Sequence, residues 1–163
     1  MNREPVKILC DIIKNLMGLT DQQIFIYNQN FKIPETSGIF VVVQYNTSQI
    51  YANNNEFLDA TQEELLTTQT REDYTINVMS CDDTARTRKE EVILALNSNY
   101  SRNQQELYQF KIGRITGSFT NVSELEGAAV INRFALPVSL LAHYNKTLSA
   151  DYYDNFTNSI ISN

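Results

Sequence analysis

The sequence predicts an α+β fold: a mixed, largely antiparallel β-sheet packed against two helices, with a long polar β-hairpin arm and a short C-terminal helix. Three observations predict it. Near the N-terminus, Val6, Leu9, Cys10, Ile13, Leu16 and Met17 recur at helical spacing. Ile39-Phe40-Val41-Val42-Val43 is a run of consecutive apolar, mostly β-branched residues, as expected of a central strand covered on both faces. Further on, Tyr74, Ile76 and Val78 alternate strictly, the period of a strand with one buried face. A chain of 163 residues suits a single domain, 1–163, and 42% hydrophobic residues with only 3 prolines suit a folded globule.

The elements follow in order. The first helix runs from Glu4 to Met17, with Pro5 in its first turn, where a missing N–H costs nothing, and Gly18 placed to end it. Ile24 to Tyr27 forms a short strand, and Gly38 opens the central one, Ile39 to Tyr45. From Asn46 through Ala60 the polar chain reads as a loop or the tip of a long hairpin. Thr61 to Met79 is a second extended region whose first half, Glu63 to Asp73, is too polar for a core. Cys81-Asp82-Asp83-Thr84 starts the second helix, since either carboxylate can accept from unpaired N–H groups there. That helix turns Ala85, Val92 and Ala95 to one side. Asn97 to Gln104 reads as a polar connection, Leu107 to Ile115 as a strand, and Phe119 to Leu125 as irregular. The last strand, Ala129 to Ala142, places Val130, Phe134, Leu136, Val138 and Leu140 on one face; Pro137 inside it predicts an edge, a bulge or a break. A short helix from Ser149 or Asp151 would align Tyr152, Phe156 and Ile160.

Charge and chemistry narrow the function. With 19 acidic and 13 basic side chains the net charge is -6, the wrong sign for gripping phosphate. Cys10 and Cys81 lack the spacing of a redox pair or zinc set and are expected as reduced core thiols. The N-terminal segment does not read as a signal peptide, and no apolar stretch is long enough to span a membrane. His143, the one histidine, has no nucleophile elbow with it and reads as exposed or partly packed. No glycine loop for phosphates, metal-ligand cluster or carboxylate pair beside an aromatic pocket is present, so no catalytic residue, cofactor or metal is expected. Gly113 and Gly117 bracket a turn or bulge. Arg86, Arg88 and Lys89 sit where the helix dipole disfavours cations. They form either a solvated face paired with Glu90 and Glu91 or a basic patch meeting a neighbouring subunit, with Glu56, Asp59, Glu63 and Glu64 of the arm as the complement. Tyr152, Tyr153 and Phe156 supply aromatic anchors for the chain's own core or for the next subunit.

Several segments together resemble the neck and tail-terminator proteins of tailed bacteriophages: the N-terminal amphipathic helix, Gly38 to Tyr45, the long polar hairpin, Asp73 to Val78 leading to Ala85-Arg86, Glu126-Gly127 followed by Arg133 to Val138, and the ending Tyr152-Tyr153-Asp154. The resemblance implies a non-catalytic virion subunit, assembled in the host cytoplasm as a ring, commonly of six, at the head-proximal end of the tail. Its partners would be itself, the tail tube protein, the head connector or stopper protein and, in contractile phages, the sheath. DNA would pass through an acidic lumen without specific binding, and no membrane is involved. On this resemblance Asp73 to Val78 and Arg133 to Val138 are sheet strands, Arg86 begins the helix crossing the sheet, and 46–72 is an assembly arm. A stopper or adaptor protein of the connector is the alternative within the same class. From another class, a small enzyme would show a pocket with converging polar groups near His143 or Asp82-Asp83.

Overall fold

The computed structural model describes residues 4–26, 38–115, 117–126 and 129–149. Helix α1, Pro5–Met17, begins at its proline and ends at Gly18, whose φ of 64° is the left-handed conformation that closes a helix. It buries Ile8, Leu9, Ile12, Ile13 and Met17. Leu16, assigned to the stripe from sequence, is exposed instead; the buried face is centred one position earlier in each turn, on Ile8 and Ile12.

Strands β1 (Ile24–Ile26), β2 (Ile39–Leu58) and β3 (Glu63–Ser80) come next, and β7 (Ala129–Ser149) closes the chain. Between β3 and β7 lie α2 (Thr84–Arg88), α3 (Glu90–Leu96), α4 (Asn99–Leu107) and the short strands β4 (Phe110–Ile112), β5 (Thr120–Asn121) and β6 (Glu124–Glu126). The sheet order is β1-β2-β3-β7-β4, with β5 and β6 also on β7. Among the described strands only β1 pairs in parallel, so the sheet is mixed and mainly antiparallel.

The helices cover one end of one face. Rows such as Val41–Val78–Phe134 and Val43–Ile76–Leu136, aligned across β2, β3 and β7, form the sheet side of the core against α1 and α3. Phe40 and Val42, on the opposite face, are buried as well, which bears out the reading of a two-sided central strand.

Several expectations are corrected. The segment from Asn46 is no loop: β2 continues to Leu58, and the tip is the short turn 59–62, closed by Leu58 accepting from Thr61 and Gln62. Partnership with β3 pairs the inward half of its backbone whatever its side chains. The arm is three-stranded, because β7 runs beyond Ala142 and stays in register with β3 from Ala142 opposite Thr70 to Ser149 opposite Glu63. Register shifts leave no β3 residue opposite Asn46 and Tyr51 of β2, two bulges at the arm's root. The polar connection from Asn97 is a helix, α4, started by Ser98, whose hydroxyl accepts from the Ser101 N–H at 3.0 Å. The strand expected over Leu107 to Ile115 shrinks to β4, since α4 takes Leu107 and Gln109 turns the chain at φ 54°. Phe119 to Leu125 holds β5 and the start of β6. The second helix is interrupted at Lys89, which makes four helical segments among the described residues in place of two in the predicted layer. Cys81 is exposed rather than a core thiol, while burial beside Asp11 pushes the Cys10 thiol up to about 12.

Pro137 causes no break. It stands opposite Thr75, and ladder alternation turns its nitrogen away from β3 toward the space between β4 and β5, where no N–H is needed. Gly113 passes so close to β7 that a Cβ there would lie 3.1 Å from the Ser139 carbonyl oxygen, and its N–H donates to that oxygen at 2.7 Å. The expected C-terminal helix lies outside the described residues.

Candidate assembly surface

The arm consists of 46–58 of β2, 63–73 of β3 and 139–149 of β7. At about 3.3 Å per residue, the 18 residues of β3 span roughly 55 Å. Glu56, Asp59, Glu63 and Glu64 cluster at the arm tip, while Arg86, Arg88 and Lys89 follow the opposite end of β3. The fold therefore separates the two predicted patches by the length of the molecule. They can meet only between copies.

The basic residues are engaged inside the chain. Arg86 pairs with Asp83, which holds that carboxyl below its usual range. Arg88 donates to both oxygens of Glu91 and, at 2.7 Å, to the Met17 carbonyl, tying α2 to the end of α1. Lys89 donates to the Arg86 carbonyl at 2.9 Å, pairs with Glu90 and lies 5.2 Å from the Phe134 ring centroid. Segment 82–91 carries three cations and four carboxylates, so it is charge-compensated rather than a basic patch. Asp82 starts the helix by accepting from the Thr84 N–H at 2.8 Å, and the Ser80 hydroxyl accepts from Ala85.

Where the arm leaves the body, Glu72 is buried, contrary to its expected exposure in a polar half-strand. The Tyr74 and Tyr144 hydroxyls donate to its two carboxylate oxygens at 2.6 and 2.5 Å. Burial first, and then the Glu72 carboxylate, pushes both phenols above their ordinary range. Residues two apart in a strand share a face, so the Glu72–Tyr74 pair is readable in sequence; Tyr144 arrives only through the pairing of β3 with β7. Beside this cluster Thr70 is buried, and its hydroxyl has no hydrogen-bond partner. On the opposite face Asp73 accepts from Ser139 at 2.6 Å and from Arg71 at 3.1 Å, which lowers its pKa.

Beyond that root the arm carries Ile50, Tyr51, Phe57, Tyr144 and Leu148, all exposed large apolar side chains. Ile50, Phe57, Tyr144 and Leu148 align with Thr70, Glu64, Thr68 and Glu64 of β3, on the face that holds the helices farther down. The other face has an open depression of about 590 Å³ that includes His143, Lys111 and Gln69. Its lining holds no cysteine, serine or carboxylate. Among the described residues no group of three or more His, Cys, Asp or Glu is placed to hold a metal ion, and no helix is long and apolar enough to cross a membrane. Tyr152, Tyr153 and Phe156 lie outside the described residues. No protein-family model matches the chain, and no curated protein matches it.

Proposed function

We propose that this protein is a virion structural subunit that assembles as a ring at the neck of a tailed phage, capping the tail tube and forming the head–tail joining surface.

 The ring, expected to hold six copies, is the functional unit, and its partners are the tail tube, the connector or stopper protein and, in a contractile tail, the sheath. One observation carries this reading: a three-stranded arm that projects from a helix-covered body, with large apolar side chains exposed along it. An isolated monomer gains little from such an arm, whereas a subunit that must reach a neighbour needs one. The net charge of -6 suits a channel that DNA traverses without sticking. The segments that resemble terminator proteins, Gly38 to Tyr45, Asp73 to Val78 and Arg133 to Val138, form the body from which the arm projects.

Light scattering coupled to size separation, over a wide concentration range and with added tail tubes, tests the reading. The expected outcome is a closed oligomer near six chains, alone or on the tube. A mass of 18.7 kDa, one chain, under all these conditions would overturn it.

A further inference from the structure

Besides the outer sides of the short end strands β1 and β4, two long stretches of strand on the arm have no strand beside them among the described residues. On its outer side β2 is paired by β1 only over Val41–Val43, and no described strand pairs with that side over 44–58. On its outer side β7 is paired by β4 over Leu140–Ala142, and no described strand pairs with it over 143–149. All of 143–149 and most of 45–57 are exposed. Edge strands are ordinarily protected by lysine, proline or inward charges. Segment 44–58 contains no lysine, arginine or proline, and its one charge is Glu56; segment 143–149 carries one full charge of the opposite sign, Lys146. The bulges at Asn46 and Tyr51 leave 52–58 regular.

The two edges are level. Across the arm, Asn53 aligns with Thr68 and Tyr144, and Phe57 with Glu64 and Leu148. Ladder alternation, fixed by the Val41 N–H donating to Gln23 and by Ser139 accepting from Gly113, directs the backbone groups of Asn53, Asn55 and Phe57 outward on one side. It directs those of Asn145 and Thr147 outward on the other. Since β3 is antiparallel to both neighbours, β2 and β7 run in the same direction. Rotation about a ring axis preserves that direction and keeps the helix-bearing face on one side.

We propose that neighbouring copies join arm to arm by β-strand pairing, the outer edge of β2 around 53–57 lying parallel to the free edge of β7 around 144–148 of the next copy. The arms then continue as one sheet, and Leu148 of one copy comes beside Phe57 of the next. This rests on the ring reading above. It replaces attraction between charged patches with backbone hydrogen bonding and apolar contact as the joining force.

Two variants test it. Asn55→Pro and Asn145→Pro each remove an outward N–H from one edge without removing a backbone hydrogen bond to β3, although Asn55→Pro also gives up the Asn55 side-chain bond to Glu64. Each variant is expected to shift from the assembled mass to 18.7 kDa while keeping the wild-type circular dichroism spectrum. An equimolar mixture is expected to form a two-chain species, because it retains one intact edge of each kind. Should Asn55→Pro not fold, Asn53→Lys with Asn55→Lys keeps the N–H groups, sets two cations on the same edge and is expected to block assembly equally. If wild type assembles and either edge variant assembles as well as it does, or if the mixture stays at one chain, the pairing is overturned while the ring stands. A wild type that never exceeds one chain, even with tail tubes, overturns both.

Discussion

The same three strands live under two regimes. Over Ile39–Val43, Ile76–Val78 and Phe134–Leu140, β2, β3 and β7 lie beneath α1 and α3, and their helix-facing residues are almost wholly buried. Past Glu72 the ladder continues with no helix over it, in unbroken register between β3 and β7 and with a bulge at Tyr51 of β2, and the side chains of β2 and β7 emerge into solvent. Strand pairing therefore does not depend on core burial here. What burial adds is cohesion: each fully covered Leu, Ile or Val contributes about 1.5–3 kcal/mol that its counterpart on the arm does not.

The largest test of this contrast is in the body. Leu136→Ala removes a fully buried side chain from the row with Val43 and Ile76, and is expected to cost about 2–5 kcal/mol in urea unfolding. A cost below 1 kcal/mol would place the cohesive core elsewhere. The root comes next. Tyr74→Phe deprives the buried Glu72 of a donor and is expected to cost about 1.5–3 kcal/mol near neutral pH. Because the folded phenol titrates above its unfolded value near 10, its contribution is complete below about pH 10 and declines as pH rises beyond it. The gap between wild type and Tyr74→Phe should therefore narrow above pH 10, as measured by chemical unfolding at a series of pH values; a constant gap would detach the phenol from the alkaline loss. The smallest effect belongs to the arm: Ile50→Ser should change stability by no more than about 0.5 kcal/mol in dilute, single-chain protein. A larger loss would mean that the arm shares the body's core.

The body was legible in the sequence because apolar periodicity records burial, as in Tyr74, Ile76 and Val78. The outer half of β2 was not, because Asn53-Asn54-Asn55 carries no periodicity and is held by its partner strand. Helix α4 escaped notice for a related reason: among its residues only Ser101 is buried, so it has no apolar stripe to read, and its one local signal is the capping serine before it. Of the candidate surface, the arm's existence and the acidic cluster at its tip were readable. The internal pairing of Arg86, Arg88 and Lys89 was half readable, since Arg88 and Glu91 are three apart on a helix. The unpaired edges were not, because they depend on which distant strands become neighbours.

The two bulges of β2 act on the arm as a pair of insertions acts on a reading frame. Val41 and Val43 put odd-numbered residues on the helix-bearing face; after Asn46 the even-numbered Ser48 and Ile50 take that face; after Tyr51 it returns to Asn53, Asn55 and Phe57. Loss of one bulge would turn every later side chain of β2 over, sending Phe57 to the far side and Glu56 to the near one. Loss of both would shorten the strand and restore the frame. Homologous arms should accordingly vary in length by compensated pairs of residues at this root, and seldom by one.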